Sequence, residues 1–212
     1  MPRRNRVTPF GSIIAVPERG TFTGNRGVLH DQQRIVREWR LKRWILCLLE
    51  FRGRKRSIMA PGRWTELFFL DEATGLAAGH RPCAECQRER FSLFQDAWAR
   101  ARPGDQPSGQ TAVEIDDRLH ADRLGPAGEK RTYPESLDEL PDGVFVMLEG
   151  QRKRAFLIQG AWLLAWSPGG YHERLPREKG AVVSVLTPRS TVAAIQAGFV
   201  PVVHPSGRSA QG

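Results

Sequence analysis

No stretch of this 212-residue chain approaches the roughly 18 consecutive apolar residues of a membrane-crossing helix, and its longest apolar runs, such as Trp44–Leu49, are strand-sized. The basic start (Arg3, Arg4, Arg6) is not followed by an apolar segment of signal-peptide length, so a cytoplasmic location without a membrane partner is the expectation. Cysteine is scarce. Three residues cannot all pair, and two of them, Cys83 and Cys86, stand three positions apart. In a reducing compartment that pattern favours metal or redox chemistry over a disulfide scaffold. The chain also has no P-loop, no dinucleotide fingerprint, no Gly-x-Ser-x-Gly and no His-Glu-x-x-His, so the commonest nucleotide, serine-hydrolase and metallopeptidase readings lack their motif.

What is present is enough to build a core. Hydrophobic residues make up 40% of the chain, with six Trp and ten Phe, which suits one large domain or two small ones. The formal charge is +9, and its distribution says more than its sum. Arg34, Arg37, Arg40, Lys42, Arg43, Arg52, Arg54, Lys55 and Arg56 face only Glu38 and Glu50 within the same stretch. A surface that tracks phosphates has this character, so nucleic acid is the expected partner; a merely solvated face is the plain alternative. Trp39, Trp44 and Trp64 interleave with these cations, as a stacking surface for unpaired bases would require, although Trp residues at such positions more often serve as core.

Periodicity predicts a mixed chain. Asp31 is placed to cap a helix from Gln32, and Arg43–Arg54 reads as a strand apolar on both faces, with Ile58-Met59 starting a return strand. Leu67–Leu70 is a short apolar segment, Asp71 a helix N-cap and Gly79 a helix stop. A second helix is expected from Pro82 or Cys83 to Arg100, and a third over Val113–Arg123. Val144–Leu148, Ala155–Gln159 and Trp162–Trp166 suggest a strand meander, followed by a strand at Val182–Leu186 and a helix at Thr191–Ala197.

Cys83-Ala84-Glu85-Cys86 is the strongest chemical signal. Two thiolates at this spacing can converge on one tetrahedral ion, and the exposed N–H groups of a helix start would favour the thiolate form. A thioredoxin-type dithiol would instead follow a strand in a βαβ unit, whereas a helix and a Gly cap are expected before this pair. Phe68-Phe69-Leu70-Asp71-Glu72-Ala73 and Ala78-Gly79-His80-Arg81-Pro82-Cys83-Ala84-Glu85-Cys86 together resemble the second half of the zinc domain of the Ada family of adaptive-response methyl-transfer proteins. The resemblance spans about residues 67–90 and implies zinc as cofactor, with Cys83 and Cys86 in the places of the family's last two ligands. The family's first pair, Cys-x-x-x-Cys, includes the cysteine that accepts a methyl group from DNA. No such pair exists here, so methyl transfer does not carry over.

A closed zinc site then needs further ligands. Cys47, the remaining thiol, and the imidazoles of His30, His80 and His120 are the candidates; His30, after a Gly-rich turn, is preferred, while His80 stands too close to Cys83 and suits a packing role. Pro-Cys-x-x-Cys is also half of the nucleobase-deaminase signature, but the other half, His-x-Glu or Cys-x-Glu, is missing: Cys47-Leu48-Leu49-Glu50 has the wrong spacing. Asp116, Asp117 and His120 would share part of a helix surface and offer an acid–base cluster, or else an ordinary solvated face.

The expected fold is α+β, with an Ada-like zinc region over 1–102 packed on a β-rich region over 103–212. The expected function is a zinc-binding protein acting as a nucleic-acid-binding module with a structural ion. A metal-dependent hydrolase or nuclease, using the acidic-His cluster or an open zinc site, is the alternative, and a basic module for an acidic protein partner is a third reading. If the basic stretch tracks phosphates, reversing Arg52, Arg54 and Lys55 to Glu will weaken binding to DNA and RNA of any sequence and flatten its salt dependence, measured by titration at several salt concentrations. Unchanged binding at low salt would assign these residues to solvent.

Overall fold

Among the residues described by this computed structural model, which are 1–53, 57–102, 111–151 and 153–208, the strands form two six-stranded sheets and one small hairpin. The first sheet holds β1 (Arg4–Val7), β2 (Ile13–Ala15), β3 (Phe22–Asn25), β6 (Ile45–Leu48), β7 (Leu67–Phe69) and β8 (Arg81–Pro82), in the order β2-β1-β7-β3-β6-β8. The hairpin pairs β4 (His30–Asp31) with β5 (Arg34–Ile35). Side chains alternate across the first sheet. Phe22, Leu46, Leu67 and Phe69 pack into a buried cluster on one face, while Cys47, Thr23 and Phe68 stand side by side in register on the other.

β3 pairs antiparallel with both β6 and β7, and β8 adds parallel to β6 at the edge. The chain leaving β7 therefore has to cross β3 and β6 before it can lay down β8. A short helix, α1 (Glu72–Ala77), makes that crossing, and every one of its residues is buried. Gly75 marks the closest approach: a Cβ there would sit 2.5 Å from the Leu46 methyl carbons. The other side of α1 meets the second sheet. That sheet is fully antiparallel, in the order β13-β12-β11-β10-β14-β9, from β9 (Tyr133–Ser136), β10 (Phe145–Met147), β11 (Phe156–Gln159), β12 (Trp162–Ser167), β13 (Gly170–Pro176) and β14 (Val182–Val185). Leu70, Ala73 and Ala77 join Phe145, Leu157 and Leu164 in one cluster, and Leu76 joins Phe156 and Ile158 in another. Residues from both halves of the chain thus fill the same core.

α2 (Arg88–Arg100) buries Phe91, Phe94, Ala97 and Trp98 and packs on α4 (Arg189–Gln196). α3 (Ala112–Arg123) starts in a Thr111–Glu114 capping box, and α5 (Pro205–Arg208) closes the described chain. The mixed α+β class, the meander and the helices at 112–123 and 189–196 agree with expectation. Three elements before β7 differ. Asp31 caps no helix: it sits in the hairpin, and Gln32 turns the chain with φ 51°. The strand expected over Arg43–Arg54 is shorter, and its outward face is only half-buried. Ile58-Met59 forms no strand, since Met59 takes φ 58° and donates its N–H to Glu66 Oε2 at 2.8 Å.

Buried acids fasten α1. Asp71 caps it as expected, with Oδ1 accepting from the Thr74 N–H at 2.8 Å and the Thr74 hydroxyl at 2.7 Å. Its Oδ2 accepts from the Tyr171 hydroxyl at 2.7 Å and the His204 N–H at 2.9 Å. Glu72 accepts from Arg90 and from the Val202 N–H. One carboxylate thereby joins α1, β13 and the segment after α4. Asp71→Ala leaves several buried donors unsatisfied and should lower stability by about 2–4 kcal/mol, read from chemical denaturation. A loss under about 0.5 kcal/mol would show that water replaces the carboxylate at no cost.

Candidate metal centre

The edge pairing of β8 with β6 brings the cysteines together. Arg81 N–H donates to the Trp44 carbonyl at 3.1 Å and Cys83 N–H to the Leu46 carbonyl at 2.8 Å, so Cys83 lies beside Cys47. The expected helix start at Pro82 gives way to this pairing, and residues 83–87 form a turn before α2. Gln87 holds the turn, its side-chain amide donating to the Leu46 carbonyl at 2.9 Å. The Sγ atoms of Cys47, Cys83 and Cys86 all lie within 4.8 Å of one another, a group that could hold a metal ion. No His, Asp or Glu joins them among the described residues.

The electrostatics of three crowded thiols follow from that closeness. Cys83 is driven well toward thiolate because the thiols of Cys47 and Cys86 donate to its sulfur, assisted by the Cys86 and Glu85 N–H groups, the latter at 3.4 Å. Cys47 is pushed strongly up, because its proton serves Cys83 and Cys86. Cys86 is also raised: its proton serves Cys83, and burial adds to the effect. A divalent ion bound by the three sulfurs would offset the repulsion between thiolates and displace their protons.

All three cysteines line one cavity of about 650 Å³. Its floor is the outward face of the first sheet. One row across the strands is Phe68, Thr23 and Cys47, and the next carries Asn25 and Ile45, with Glu66 one step before β7. Trp64, Phe51 and Leu49 add apolar wall, while Arg43, Arg81 and Asp116 supply charge.

The remaining candidates fall elsewhere. His30 stands apart from the cysteines, its ring nitrogens taken by the Thr65 hydroxyl at 2.6 Å and the Ala60 carbonyl at 3.2 Å. His80 packs, as expected, edge-on to Phe69 with centroids 4.6 Å apart, fully buried, with a pKa held well below normal by burial and by Arg26 and Arg123. Trp44 is core, with the guanidinium groups of Arg26 and Arg123 over its ring at 3.9 and 4.0 Å. The acidic-His cluster is dispersed. Asp116 forms a buried two-point ion pair with Arg81, at 2.9 and 2.7 Å. Asp117 pairs with exposed Lys42, and His120 lies against Trp39 and Arg123. Arg34, Arg37, Arg40, Lys42, Arg43 and Arg52 are exposed; Arg54, Lys55 and Arg56 fall outside the described residues.

Glu66 went unnoticed in the sequence. Its only signal is alternation: positions 66 and 68 share a face, but nothing local says that this face also carries Cys47. If Cys47 belongs to the centre, Cys47→Ser will lose metal as completely as Cys83→Ser, with a lower Tm in both, measured by elemental analysis and thermal unfolding. Full metal content in the Cys47 variant would remove it from the site. No family model matches the chain, and no curated protein or solved structure matches it either.

Proposed function

We propose that the chain is a zinc-dependent enzyme of hydrolase type, with the ion held by Cys47, Cys83 and Cys86 and one coordination position open to the cavity. The observation that carries this reading is the placement of all three thiols on a cavity wall with no fourth ligand among the described residues. Three protein ligands and an open position mark catalytic rather than structural zinc. The donor set fits the ion: tetrahedral zinc with Zn–S of ~2.3 Å needs sulfurs about 3.8 Å apart, which lies inside the 4.8 Å that bounds the cluster. The likeness of residues 67–90 to the Ada zinc region supports a metal over a redox role for Cys83 and Cys86. Bound zinc would supply a Lewis acid at the end of the cavity. The chain's own residues would orient substrate against it. The exposed Arg40, Arg43 and Arg52 favour an anionic substrate and keep nucleic acid as the partner of choice.

A second reading keeps zinc structural and the basic face as a passive nucleic-acid surface, favoured by the exposure of all six described candidate cations. It requires a fourth protein ligand. Cobalt substitution separates the two. In an open site, added azide or a small thiol will enter the coordination sphere and shift the cobalt absorption bands; in a closed one the spectrum will not respond. A cobalt spectrum indifferent to such ligands would reject the enzyme reading.

A further inference from the structure

Glu66 is 6% exposed, yet it lines the cavity. Its Oε2 accepts from the Met59 N–H at 2.8 Å, and no described residue donates to Oε1. Oε1 is not among the buried, unpaired polar atoms of the described residues, so it opens onto the cavity, where a ligand's N–H donor can reach it. Aromatic and aliphatic walls (Phe51, Trp64, Phe68, Leu49) border that oxygen's cavity, and Arg43 lies on the same lining. A planar ring between apolar walls, N–H donors at its edge and a phosphate for the arginine would satisfy every one of these groups.

We infer that the cavity is a binding pocket for an unpaired, amino-bearing nucleobase, with Glu66 accepting from the base's N–H groups and Arg43 holding the attached phosphate. The inference rests on the open-site reading for its place beside the metal, and names that site's substrate class. The sheet geometry supports it. Glu66 precedes β7, two strands from Cys47 on β6, and neighbouring strands are about 4.8 Å apart. The carboxylate and the thiols thus stand across the cavity floor from each other rather than in contact, leaving the space between them for a ring. A volume of about 650 Å³ is of the size that encloses a small ligand. Carboxylate acceptance from an exocyclic amine is an established mode of base reading, and stacking on aromatic side chains tolerates any ring. The structure also supplies from separate segments what the sequence lacked beside Pro82-Cys83-x-x-Cys86: a third thiol at Cys47 and, at Glu66, a carboxylate with one oxygen facing the cavity.

The test is equilibrium dialysis of the zinc-loaded full chain against cytidine 5′-monophosphate, adenosine 5′-monophosphate and ribose 5-phosphate, the last carrying phosphate without a base. The nucleotides should bind at least about tenfold more tightly than ribose 5-phosphate. Glu66→Gln, which keeps an acceptor for the Met59 N–H but loses the charge, should erase most of that preference with zinc content unchanged. Ile58→Trp, which fills the cavity from its exposed wall, should do the same, and decides the matter alone if the Glu66 variant does not fold. Equal binding of all three probes, or a base preference that survives either folded variant, would overturn the inference. A cobalt centre that admits azide while the nucleotides show no preference would sink the nucleobase pocket and leave the open metal site standing.

Discussion

The parallel pairing of two strand ends, β6 with β8, is the constraint on which the centre depends. Cys47 lies on a strand laid down before the crossover, Cys83 and Cys86 on the turn after it. The hydrogen bonds from Arg81 to Trp44 and from Cys83 and the Gln87 side chain to Leu46 bring them side by side. Those bonds can form because α1 crosses the inner face closely enough to deliver the chain to the sheet edge, which Gly75 permits against Leu46. Burial of α1 against the second sheet in turn requires Asp71 and Glu72 to be satisfied by Tyr171, Arg90 and the backbone at 202 and 204. The cysteine cluster is therefore the outward expression of an inward packing problem.

The two faces of the first sheet divide the labour. The inner face is apolar and shared with the rest of the core, so Leu46 and Phe69 are fully buried. The outer face, one residue out of phase, carries thiol, hydroxyl, amide and carboxylate side chains toward the cavity. A one-residue slip in β3 or β6 would exchange the two sets, so the same register that builds the core also fixes the site. Buried charge near the crossover is handled differently: Arg26 and Arg123 both stack over Trp44, with burial lowering each pKa to about 9, so both stay protonated at neutral pH.

Local signals were legible and long-range ones were not. The Asp71 cap, the Gly79 stop, the meander and the helices over 112–123 and 189–196 follow from residues within a few positions of each other. The Cys83-x-x-Cys86 pair was readable for the same reason. Cys47 could only be named as a candidate beside His30, because choosing between them needs the pairing of β6 with β8 across more than thirty residues. His30 looked suitable after its Gly-rich turn; in the fold its nitrogens are occupied by Thr65 and Ala60. The helix expected after Asp31 failed because Gln32 accepts a left-handed turn and the hairpin His30–Ile35 closes instead. Asp116, Asp117 and His120 are helix neighbours, but each meets a partner from a different part of the chain.

X-ray absorption at the zinc edge of the loaded protein tests the central claim most directly, because it counts ligands by element. Three sulfurs at ~2.3 Å and one oxygen or nitrogen, without the outer-shell scattering of an imidazole ring, are expected. Fewer than three sulfurs, or a clear imidazole signature, would contradict it.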